Sequence, residues 1–106
     1  MITAAPFAPY LGATTAVSVS GTTANGAFNL PGLQPLQPGA LTVRLYNAAS
    51  VRVYVKFGAS DVVATTADMP IPPGGVEVFS VGGCTYVAGI TDSGTGTLYA
   101  TPGMGA

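Results

Sequence analysis

The chain has 106 residues, which fits one domain with a core of its own and leaves little room for a second. Only 7% of the residues are charged, against about 25% in an ordinary soluble domain; the net charge is −1 and histidine is absent. Three basic residues are too few for a phosphate-tracking stripe, which argues against nucleic-acid binding, and despite a mean hydropathy of +0.50 no run nears the ~18–20 apolar residues of a membrane-spanning helix.

From the N-terminus, Met1–Pro6 lacks the basic and apolar regions of a secretory signal, so the expectation is a chain made and assembled in a cytoplasm. Residues 1–13 read as an extended arm, because Pro6 and Pro9 block regular pairing. Fifteen glycines and nine prolines punctuate the chain at short intervals, and no window of a dozen residues keeps a helical period. Short β-branched and aromatic runs between turn signals predict an all-β, single-domain antiparallel β-sandwich of about eight short strands, jelly-roll-like in its spacing. The sandwich is expected over residues 14–101, with a Pro-rich connector at 31–40 and a tail at 102–106.

The first predicted strands are 14–20 and 27–30. Then comes the clearest signal in the chain. Residues 41–47 (Leu-Thr-Val-Arg-Leu-Tyr-Asn) alternate strictly, and so do residues 51–57 (Val-Arg-Val-Tyr-Val-Lys-Phe). Ala48-Ala49-Ser50 is short enough for a hairpin loop. In that register Tyr46 faces Arg52, Arg44 faces Tyr54 and Thr42 faces Lys56, while the other face is wholly apolar. A further strand is expected at 62–66, a rigid apolar connector at 69–75, and strands at 76–81, 84–90 and 95–101. Gly82-Gly83 and Asp92-Ser93-Gly94 are the turns between them.

Groups able to do chemistry are few. Without histidine the commonest general base and metal ligand is missing. Cys84 is the only cysteine, so no intrachain disulfide can form, and with neutral neighbours it reads as a small buried thiol. Asp61, Asp68 and Asp92 fall in predicted turns, where Asp bonds its own backbone. Glu77 lies on a strand and is expected on its solvent face. No calcium loop or phosphate-binding glycine fingerprint is present. No catalytic residue, cofactor or metal site is therefore expected.

Two groups of residues are candidates for contact with a partner. Arg44, Tyr46, Arg52, Tyr54 and Lys56 would cluster on one face of the predicted hairpin, and Arg with aromatics suits an interface. Phe7, Tyr10 and Leu11 would anchor the arm, since they gain from burial. A surface of Thr, Ser, Gly, Ala, Asn and Gln costs little to desolvate, and a near-zero net charge favours association.

The second half of the chain resembles small virion proteins of tailed bacteriophages and prophages. The resemblance runs through residues 53–58, 64–70, 75–79, 86–90 and 94–103 and covers about half of the chain. It implies a β-sandwich on a phage particle, of the capsid decoration or cement kind. The expectation is a non-enzymatic virion structural protein, a homo-oligomer (dimer or trimer) that bridges major capsid protein or other virion subunits. A tail, neck or fibre component and a carbohydrate-binding β-sandwich module are the alternatives.

Overall fold

A strand with apolar residues at every second position must hide one face, and two such sheets hide their faces in each other. The computed structural model of the chain describes residues 8–9, 12–28, 41–81 and 84–104. Among these residues the strands are β1 (Ala8–Pro9), β2 (Thr15–Val19), β3 (Ala24–Ala27), β4 (Leu41–Asn47), β5 (Val53–Gly58), β6 (Met69–Ile71), β7 (Val76–Ser80), β8 (Tyr86–Thr91) and β9 (Gly96–Met104). The expected connector at 31–40 and the expected Gly82-Gly83 turn lie outside the described residues. One sheet runs β1–β9–β4–β7, with β2 also paired to β9; the other runs β3–β8–β5–β6. Every pairing is antiparallel. Since β1 meets β9 at Gly103 and Met104 and β2 meets it at 96–100, the two share one side of β9.

The pairs β2–β9, β3–β8, β4–β7 and β5–β6 nest inside one another, and β4–β9 and β5–β8 join the nest across its middle. A long antiparallel ribbon rolled into two sheets has this connectivity, which is that of a jelly roll. The expected all-β sandwich is thus the observed fold.

Val17 and Val19 from β2, Val43 and Leu45 from β4, Val53 and Val55 from β5, Ile71 from β6, Val87 from β8 and Leu98 and Ala100 from β9 fill the space between the sheets. Each fully buried Val, Leu or Ile contributes on the order of 1.5–3 kcal/mol. Phe57 touches Phe28 at a ring-centroid distance of 6.2 Å and Phe79 at 5.3 Å, which ties the two sheets together with aromatic contacts. Cys84 is half-buried and packs against this core, as a small apolar residue would.

The structure corrects the predicted hairpin. β4 and β5 do not pair; they belong to opposite sheets, and residues 48–52 cross between them. Both strands keep one apolar side turned inward, with Val43, Leu45, Val53 and Val55 all buried, although Tyr54 on the other side of β5 is buried as well. Their apolar sides meet across the core instead of lying side by side. The reason is Asn47, fully buried where β4 ends. Its Nδ2 donates to the carbonyls of Val51 (2.9 Å), Ile71 (3.0 Å) and Pro72 (3.1 Å), and its Oδ1 accepts from the N–H of Ala49 (2.9 Å). Its backbone accepts from Gly74 N–H and donates to Gly75 O. One side chain therefore fastens the 48–52 crossover to the 72–75 crossover.

Five smaller expectations shift. The second strand is Ala24–Ala27, because Gly26 is not a turn residue: a Cβ there would lie 2.8 Å from Val17 Cγ2, so glycine permits the close approach of β2. The expected strand at 62–66 does not form, whereas Met69–Ile71 inside the expected connector is a strand; Pro70 is tolerated because β6 ends its sheet among the described residues. The last strand continues through Met104, so residues 102–104 of the expected tail are sheet. Within the expected arm, Ala8 and Pro9 pair with β9.

Candidate functional site

The sandwich has two outer faces, and they differ. On the β3–β8–β5–β6 sheet the connection from β5 to β6 folds back over the outward side chains. Val62 and Ala64 bury against Ala88, with Tyr86 and Ile90 beside them. Asn25 on β3 donates from Nδ2 to Ser60 O (3.1 Å) and Val62 O (3.4 Å), and the N–H of Ala64 donates to Thr23 Oγ1 (2.9 Å). The far end of this strap closes in a turn in which Thr65 N–H donates to Asp68 Oδ2 (2.7 Å).

The outer face of the β2–β9–β4–β7 sheet carries exposed apolar side chains. The register places Ala16, Tyr99, Tyr46 and Val76 in a single row across it. Tyr46 and Tyr99 stack with ring centroids 6.1 Å apart and planes 13° from parallel. Tyr46 is 41% exposed, Tyr99 38% and Val76 43%, values that mark a contact-ready apolar row and not a core. The next row holds Thr101, Arg44 and the exposed Val78, with Thr14 bonded to Thr101 through their hydroxyls (2.7 Å). The row on the other side holds Ser18 and Thr97, and Ala48 donates its N–H to Thr97 O. Arg44 is the one charged residue at these outward positions.

The predicted five-residue cluster is therefore split. Arg44 and Tyr46 lie on the exposed face, whereas Tyr54 and Lys56 belong to β5 of the opposite sheet and Arg52 ends the crossover just before it. Arg44 does not face Tyr54: its register partners are Thr101 and Val78. Tyr54 and Lys56 pair instead with Ile90 and Ala88. Arg52 does meet Tyr54, two residues along its own strand direction. Its Nη1 donates to the Tyr54 hydroxyl (3.2 Å) and its guanidinium carbon lies 5.9 Å from the ring centroid. The Tyr54 hydroxyl in turn donates to Asp92 Oδ2 (2.9 Å). Asp92 thus serves a neighbouring strand, and the turn after β8 is closed by Thr91 Oγ1 donating to Gly94 O (2.8 Å). Arg52 and Asp92 border a depression with Ser50, Val51, Pro73 and Ser93. Lys56 borders another beside the strap, with Asp61. Phe7, Tyr10 and Leu11 lie outside the described residues.

Glu77 occupies the register position of Leu45, on the inner side of β7, yet it is exposed because β7 ends its sheet among the described residues. An inward charge on an edge strand discourages uncontrolled strand addition. Tyr99, Val76 and Ala16 were missed as site residues. The signal for them is pairing register, which brings three separate strands up to Tyr46. Among the described residues no group of three or more His, Cys, Asp or Glu side chains could hold a metal ion, and no helix is long and apolar enough to cross a membrane.

No protein-family model and no curated protein matches the chain. A solved structure shares its fold. It is a chain from the endospore appendages of Bacillus, described as forming a family of disulfide-linked pili; the TM-score is 0.50 at 14% identity, over 95% of this chain and 89% of that one. At that identity the likeness speaks for the fold alone.

Proposed function

We propose that this chain is a non-enzymatic structural subunit that works by packing into a larger assembly, and specifically a phage virion protein of the capsid decoration or cement kind. The observation that carries the reading is the exposed part of the outer face of the β2–β9–β4–β7 sheet, with its row of Ala16, Tyr99, Tyr46 and Val76 and, among the described residues, its single charge at Arg44. Such a face gains from burial and gives up little hydration. The low charge of the whole chain and the resemblance of its second half to phage virion proteins point the same way. Each copy would span a seam between shell subunits, so that many modest contacts add to the shell's resistance to internal pressure.

The test is quantitative mass spectrometry of the purified particle from the encoding phage or induced prophage. Copy numbers equal to the main shell subunit, or a simple fraction of it, are expected. A complete absence from particles overturns the virion reading. A few copies per particle move the protein to a tail, neck or fibre. This sequence has a single cysteine, half-buried against the core, so it cannot link into a continuous disulfide-joined chain through its own thiols.

A further inference from the structure

We infer that the bare face of the β2–β9–β4–β7 sheet is a two-fold contact with a second copy of this chain, with the axis lying along the row Ala16–Tyr99–Tyr46–Val76. A second copy is thereby named as the partner for the packing surface proposed above, and its assignment rests on that reading.

Charge placement permits a second copy as the partner and selects the axis. The face has one charge, Arg44, set two residues along β4 from Tyr46. Rows two residues apart are separated by ~6.6 Å. A two-fold axis along the apolar row lays Tyr46 on Tyr46 and Tyr99 on Tyr99 of the second copy, and it puts the two Arg44 side chains on opposite sides of the row. They then stand ~13 Å apart, beyond the ~8 Å Debye length of physiological salt. Each Arg44 meets the row of Ser18, Thr97 and Ala48, where hydroxyl and carbonyl oxygens can accept its N–H groups. An axis along the strands, between β9 and β4, would instead bring the two guanidinium groups together and is disfavoured by like-charge repulsion. The face is thus self-complementary in one orientation, the requirement of an isologous dimer.

Area sets the strength. Four strands ~4.8 Å apart and about 20 Å long offer roughly 400 Å² per copy in projection, about half of the ~800 Å² per partner of a standard stable interface. The contact is therefore weak for two free molecules and gains when a lattice holds many copies close together.

Sedimentation velocity over a concentration series of the full chain tests the association. A monomer–dimer equilibrium is expected at sub-millimolar protein, and Val76→Lys should weaken it at least tenfold without changing the circular dichroism spectrum. Geometry is tested in a Cys84→Ala background with Tyr46→Cys or Arg44→Cys and a short bis-maleimide matched to the ~10 Å spacing of stacked sheets. Tyr46→Cys should give covalent dimer, and Arg44→Cys at least tenfold less. A chain that stays monomeric throughout, or equal cross-linking at both positions, overturns the inference. Either result leaves the particle copy number untouched, so this inference and the virion reading fail separately.

Discussion

Asn47 shows how one polar side chain can choose a topology. It is fully buried and uses both ends of its amide on carbonyls and an N–H from two crossovers. Replacing it by alanine strips the carbonyls of Val51, Ile71 and Pro72 and the N–H of Ala49 of this partner; the bonds at Ile71 and Ala49 are buried, and each buried group so orphaned costs about 1–3 kcal/mol. Asn47→Ala should therefore destabilise by about 3 kcal/mol or more and lower the melting temperature on the order of 10–20 °C, as read by thermal circular dichroism. Asn47→Asp should do no better, because a carboxylate cannot donate to three carbonyls. Arginine and tyrosine supply a second test at this scale. A double-mutant cycle between Arg52→Ala and Tyr54→Phe should show a coupling of roughly 0.5 kcal/mol. The cycle between Arg44→Ala and Tyr54→Phe should show none, because the two residues lie in different sheets. Alternation alone would have joined them. At the residue level Tyr46 and Arg44 could be read as surface candidates, but Tyr99 and Val76 could not be grouped with them, since proximity across strands depends on which strands pair.

Among the elements, the connection between β5 and β6 departs furthest from its local pattern. Val62 and Ala64 are apolar and alternate, and taken alone they read as a strand. They bury one by one on the outside of the sheet instead, held by Asn25 and Thr23. The strap covers one outer face and so makes the opposite sheet the available one. Thr23→Val removes the acceptor for the Ala64 N–H while keeping a similar shape. Hydrogen exchange at Ala64 should then accelerate toward that of an open loop, while exchange at Val43 and Leu45 stays at the rate of global unfolding. Equal acceleration at both places would mean that the strap is part of the core's cooperative unit. The start of β9 depends on Gly96, where a Cβ would collide with Ala49 Cβ. Glycine there lets the 48–50 segment cross directly over β9.

For the molecule as a whole, β9 is the organising strand. It pairs with β1, β2 and β4, which lie far from it in sequence. A chain ending before Gly96 should give no cooperative melting transition, because β2 and β4 lose their common neighbour and the core loses Leu98 and Ala100. The pairing of β2 with β9 and of β3 with β8 also joins parts of the chain that lie far apart in sequence. Stopped-flow refolding should accordingly fall in the millisecond-to-second range typical of all-β sandwiches, and microsecond folding would contradict this topology.

The sequence by itself determined the all-β class, the apolar side of each long strand, the turns at Asp92–Gly94 and around Asp68, and the poverty of charge and of catalytic groups. These follow from local chemistry: side-chain period, glycine and proline geometry, and composition. The tertiary structure alone decided that β4 and β5 face each other across the core, that the strap covers one sheet, and that Tyr46 meets Tyr99 and Val76 on the other. A hairpin and a crossover satisfy the same alternation equally well, because each needs only that one side of the strand be apolar. What separates them is the closing of buried hydrogen bonds at Asn47, and its partners are brought to it only when the whole chain has folded.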